Sequence, residues 1–132
     1  MKTFEKYAAA LSKLDMDFSL FAPNAIEMCP GEGLMDLSGY QKSLAHWFPL
    51  LEKIVIKKII NKSLKVNQLP EFWACIFFEV YYKVHQGEAK VDVTHIIKAG
   101  ADEKILSVNS FWERAQFDAH IPAHPELKTI FK

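Results

Sequence analysis

Apolar residues recur at every second position between Glu71 and Phe117, which predicts three consecutive β-strands. They are EFWACIFFEVYYKVH (71–85), EAKVDVTHIIK (88–98) and EKILSVNSFWERAQF (103–117), with turns at Gln86-Gly87 and around Gly100-Ala101-Asp102. In the middle strand Ala89, Val91, Val93, His95 and Ile97 share one face. Lys90, Asp92, Thr94 and Lys98 take the other, with Ile96 the one exception. The last strand puts Leu106, Val108, Ser110 and Trp112 on one side and Ser107, Asn109 and Glu113 on the opposite side. The first strand differs. Phe72, Ala74, Ile76, Phe78, Val80, Tyr82 and Val84 form one apolar face, yet Trp73, Cys75, Phe77 and Tyr81 stand on the other beside Glu79 and Lys83. A strand apolar on both sides is buried on both sides. At about 3.3 Å per residue it spans roughly 50 Å, so it bends strongly or crosses an interface.

Upstream the period changes. Phe4, Tyr7, Ala8, Leu11 and Leu14 recur at helical spacing, which predicts an amphipathic helix over 2–14. Asp15 or Asp17 caps a second, shorter helix through Phe18 and Phe21 that ends before Pro23. Ala25 to Cys29 reads as a short strand stopped by Pro30-Gly31. Ser38 and Gln41 have capping-box spacing ahead of a helix bearing Tyr40, Leu44, Trp47 and Phe48, which Pro49 ends or kinks. Ile54 to about Val66 is extended, with a register slip expected near Asn61-Lys62-Ser63. The order is helix, helix, strand, helix, then four strands. With no repeat, linker or low-complexity segment, residues 1–132 read as a single α+β domain.

Composition narrows the function classes. Basic and acidic residues balance at sixteen each, which argues against a nucleic-acid partner. The lysines at 53, 57, 58, 62 and 65 read as the wet face of a strand pair. No apolar run approaches the ~18 residues of a membrane span, and MKTFEKYAAA lacks a signal-peptide core, so a cytoplasmic address is expected. Two cysteines in that setting predict free thiols. His120 and His124 have helical metal-pair spacing, but Pro122 between them breaks the helix. No glycine-rich phosphate cradle is present, and neither metal nor cofactor is expected.

Three strings carry a resemblance: EKYAAAL (5–11), LFAPNAIEMCP (20–30) and VTHIIKAGADEKILSVNSFW (93–112). They resemble, in turn, the first helix with its tyrosine, the turn into the first strand, and the closing hairpin. The group is that of ketosteroid isomerase and SnoaL-like proteins within the nuclear transport factor 2-like superfamily. The resemblance implies a cone-shaped, strongly curved, mainly antiparallel sheet, with some mixed pairing, wrapped around the N-terminal helices and a central apolar pocket. It also implies a homodimer packed through the outer face of the sheet, where Trp73, Phe77 and Tyr81 would meet a partner.

The resemblance implies the chemistry of isomerases of this group, which enolise a ketone with a carboxylate base and an oxyanion hole of Tyr plus protonated Asp. By resemblance Tyr7 falls on the oxyanion tyrosine and Cys29, before Pro30, on the base. His95 falls on the second oxyanion acid when the hairpin is aligned through Lys104. A one-residue shift substitutes Thr94, and strand alternation favours His95. Two of the three catalytic positions, the two that should be carboxyls, are therefore not carboxyls, and steroid-isomerase chemistry is not expected. Tyr7, Cys29, His95, Ser110 and Trp112, with Phe18, Phe21 and Tyr40, are the candidate ligand contacts; Tyr7, Cys29 and His95 are the candidate catalytic groups. Each has a plain structural role as well. His95 bonded to Tyr7 is an ordinary buried polar pair, and an unbridged Cys29 behaves as a small hydrophobe. Glu27, the only acid of the first strand, either points inward as a displaced base or faces water, and water is the expectation. The tail IPAHPELKTIFK is expected over the pocket mouth or on the partner subunit. Three readings follow: a protein that binds a small apolar molecule without turning it over; an enzyme on a hydrophobic carbonyl compound with His95 as acid/base and Tyr7 as donor; and an interaction module using the outer sheet.

Overall fold

The structure, a computed structural model, describes residues 1–131. Helix α1 (Lys2–Ser12) buries Phe4, Tyr7, Ala8 and Leu11, the stripe its sequence period predicts. Strands β1 (Phe21–Cys29) and β2 (Gly33–Asp36) form a hairpin, and helix α2 (Leu37–Trp47) follows. Then come β3 (Leu51–Val66), β4 (Leu69–Tyr82), β5 (Ala89–Ala99), β6 (Ile105–Phe111) and a short helix α3 (Arg114–Asp118). The six strands form one sheet in the order β2-β1-β6-β5-β4-β3. Only β1 against β6 is parallel, so the sheet is mixed. It curls around α1 and α2, and its concave face holds the core: Ile76 and Phe78 of β4, Val91 and Ile97 of β5, Val108 of β6.

Curvature comes from irregular pairing. Register shifts between Leu51 and Lys53 and between Ile56 and Lys58 bend β3 across β4, rather than a slip at Asn61–Ser63. The β3–β4 hairpin closes on Asn67 and Gln68, both with positive φ (52° and 68°), as a two-residue turn matching the strand twist requires.

Several local expectations change. The second helix is a single 3-10 turn, Phe18–Leu20, capped by the Asp17 carboxylate that accepts the Ser19 amide at 3.0 Å; Phe21 already belongs to β1, which runs through Pro23. Asp36, not Ser38, caps α2, accepting the Gly39 amide at 2.8 Å. A carboxylate one turn ahead of that amide is the stronger acceptor. Strand β2 is largely exposed and carried no alternation to announce it. The long strand ends at Tyr82, so Val84 lies beyond it. The last strand stops at Phe111, because Arg114–Asp118 turns helical to bury Phe117. The tail folds back through a 3-10 turn at Pro125–Thr129 that buries Leu127.

Candidate functional site

A cavity of about 120 Å³ opens between the concave sheet face and α2. Its inner wall carries Tyr40 from α2, Cys29 from β1, His95 from β5 and Ser110 from β6, set among Leu11, Ile54, Phe78 and Val91. Strand pairing explains the grouping. His95 stands opposite Ser110 across β5–β6, and the parallel β1–β6 register brings Cys29 beside Ser110. Toward the mouth lie Trp47, Trp112, Pro30 and Glu32. The Glu32 carboxylate accepts from Ser43 Oγ (2.7 Å) and Trp47 Nε1 (3.0 Å), tying the β1–β2 turn to α2. Of the candidate contacts, Tyr7, Phe18 and Phe21 stand behind the wall. Tyr7 is fully buried and packs its ring edge against Phe21, while Phe18 and Phe21 pack on Tyr40.

Four side chains make one hydrogen-bonded chain. The Tyr40 and Tyr7 hydroxyls are 2.7 Å apart, Tyr7 Oη is 2.9 Å from His95 Nδ1, and His95 Nε2 is 3.1 Å from Ser110 Oγ. Burial pushes His95 down to about 3, so its imidazole is neutral and carries one N–H. Burial, and then the neighbouring Tyr40, raises Tyr7 well above the usual phenol range; burial raises Tyr40 as well. All four groups are therefore neutral, with four polar hydrogens for three bonds. With the proton on Nδ1, His95 donates to Tyr7, Tyr7 to Tyr40, and Ser110 to Nε2. The Tyr40 hydrogen is then left over. With the proton on Nε2 every bond reverses and the Ser110 hydrogen is left over. Tyr40 and Ser110 are both cavity-lining residues, so either tautomer leaves one hydroxyl hydrogen of a lining residue without an acceptor within the four-group chain.

Two further groups stand on the same strand. Burial, then Glu32, pushes the Cys29 thiol up to about 12, which favours its protonated form. Glu27 does not face water: it is fully buried, and neither carboxylate oxygen has a hydrogen-bond partner among the described residues. It shares the concave face with Cys29, one pleat deeper, as strand parity requires. Burial, then Asp36, raises it to about 7. His120 and His124 share one turn, the His124 N–H donating to the His120 carbonyl at 2.9 Å with the rings 6.3 Å apart, and His120 Nε2 lies 2.7 Å from the Lys90 carbonyl and donates to it.

No protein-family model matches the sequence, and no curated protein matches it significantly. Solved structures do match. A nuclear transport factor 2-like protein from Anabaena variabilis gives a TM-score of 0.63 at 14% identity, over 85% of this chain and 84% of that one. The fold is nuclear transport factor 2-like. A candidate polyketide cyclase from Xanthomonas campestris has it too, with TM-score 0.68 at 10% identity over 91% and 94% of the two chains. So does a steroid delta-isomerase from Pseudomonas aeruginosa, with TM-score 0.60 at 11% identity over 92% and 90%. At such identities the likeness concerns the fold, and function has to be argued from the site.

Proposed function

We propose that this nuclear transport factor 2-like chain binds a small, mainly apolar molecule carrying one hydrogen-bond-accepting oxygen. The free O–H left over in the Tyr40–Tyr7–His95–Ser110 chain carries this reading. A donor on an otherwise apolar wall calls for an acceptor, since an unpaired buried polar group costs roughly 1–3 kcal/mol. The size agrees with one ring, because a cavity of about 150 Å³ accommodates benzene. Titration calorimetry with phenol and toluene, which differ by the oxygen, tests it. Phenol should bind about tenfold more tightly than toluene, a difference near 1.4 kcal/mol. Equal affinity for both would remove the oxygen from the reading, and binding of neither would remove the pocket.

A second reading, an enzyme of the isomerase or cyclase type, is favoured by Glu27. The neutral His95, with both ring nitrogens engaged, is a poor base at pH 7. A carboxyl near 7 is well matched to exchanging a proton there. In this reading Glu27 reaches past Cys29, takes a proton from the carbon beside a ligand carbonyl, and returns it after rearrangement. The free hydroxyl of the chain holds the enolate oxygen meanwhile. Incubation with cyclohexanone in deuterium oxide should then show protein-dependent exchange at the α-carbons, absent in Glu27→Gln. Exchange at the solvent rate in the unmodified protein would leave binding as the whole function.

A further inference from the structure

The last described residue, Phe131, is seated at the edge of the cavity mouth in an aromatic enclosure. Its ring stacks on Trp112 (centroids 5.5 Å apart, planes at 19°) and meets Trp47 at 4.9 Å and Phe117 edge-on at 4.6 Å. The Arg114 guanidinium lies 4.1 Å from its centroid. Trp47 and Trp112 also line the cavity, and they continue into an adjoining groove of about 430 Å³ whose wall includes Phe131 itself. Leu127 is the buried anchor of this segment, and Phe131 beyond it stays half-buried.

We propose that Phe131 occupies a second-ring subsite of the binding cleft, so that a planar ligand of two fused rings binds by displacing the Phe131 phenyl group. This rests on the binding reading above. The cavity alone is single-ring in size. A second fused ring leaving it passes between Trp47 and Trp112, where Phe131 now lies. The subsite offers what a flat ring needs: a parallel indole face, two edge-on or tilted partners and a cation over the π-surface. The phenyl group shows that those surfaces accept one. Its departure forfeits those contacts, so the tail competes with the second ring and discriminates against it.

Phenol and 2-naphthol distinguish the steps, each titrated into the unmodified protein and into Phe131→Ala. Circular dichroism checks that the variant keeps its fold, and Phe131→Trp supplies a variant in which the enclosure stays filled. The expected result is naphthol binding about five- to tenfold tighter in Phe131→Ala. Phenol affinity should change less than about twofold, and Phe131→Trp should show no gain. Naphthol affinity unchanged or weaker in Phe131→Ala, with phenol still bound, would overturn the subsite alone, making Phe131 part of the wall. If neither compound binds any form, the subsite and the binding reading fail together. A naphthol gain without phenol binding would support the subsite and remove only the single-ring occupancy of the inner cavity.

Discussion

Glu27→Gln should gain roughly 3 kcal/mol of unfolding free energy relative to the unmodified protein as pH is raised from about 4.5 to 8. The carboxyl is buried with no hydrogen-bond partner among the described residues, and its pKa is raised from 4.5 to about 7, by burial first and by Asp36 second. Below pH 4.5 both folded and unfolded chains hold the proton, so the contribution is complete. Between the two values the unfolded chain releases its proton while the folded chain keeps it. Stability therefore falls by about 1.4 kcal/mol per pH unit and is fully lost once pH passes the folded value. Glutamine has no proton to release and stays flat across this window. Urea unfolding of both proteins at pH 4.5, 6 and 8 measures the difference directly. A constant gap between the two curves would mean that Glu27 finds a partner or water in solution. A group kept at that cost belongs to the class of local violations found at functional sites, which is why it anchors the catalytic reading.

The path of the concave face could be read from the sequence because alternation is a strong signal where one side of a strand is buried. The pattern of EAKVDVTHIIK turned His95 inward, and the resemblance set it opposite Tyr7; the structure has them 2.9 Å apart. Tyr40 was named as a contact, but its bond to Tyr7 depends on how α2 closes over β1, a tertiary relation that no local period encodes. Glu27 shows parity and chemistry in conflict. Its position between Ala25 and Cys29 pointed inward, whereas the cost of burying a carboxyl pointed outward. The structure follows parity, and the raised pKa is the physical consequence. Phe21 and the 103–117 segment failed for a different reason. SLFAP and FWERAQF fit both a helical turn and a strand, and packing decided: Phe21 continues β1, while burial of Phe117 ends β6. Trp112 thus leaves the strand yet still reaches the mouth.

At micromolar concentration the protein should sediment as a homodimer, and Phe77→Lys should convert it to monomer or aggregate. The convex face of the sheet supports this expectation more broadly than the row Trp73, Phe77 and Tyr81 did. Trp73 and Tyr81 are partly dressed by their own sheet: Trp73 donates to Glu71 at 2.7 Å beneath Lys98, and Lys53 sits over Tyr81. Glu79 and Lys90, 2.7 Å apart, make that end of the face charged. The rest is different. In register across all six strands run Leu34, Met28, Asn109, Ile96, Cys75 and Ile60. Phe111, Thr94 and Phe77 form the adjacent row. Leu34 is 65% exposed, Phe111 53%, Ile60 47% and Met28 42%, so these rows make an apolar band open to water, interrupted by Asn109 and Thr94. Patches of that extent on a soluble protein mark an interface. A second copy is the simplest occupant, because an isologous contact lays each band on its own equivalent and leaves the Glu79–Lys90 ends at the rim. Phe77 borders the band, and a lysine there would place like charges face to face across the two-fold axis. Sedimentation velocity at several loading concentrations reads the outcome. A clean monomer for the unmodified protein would transfer the band to a different partner and revive the interaction-module reading.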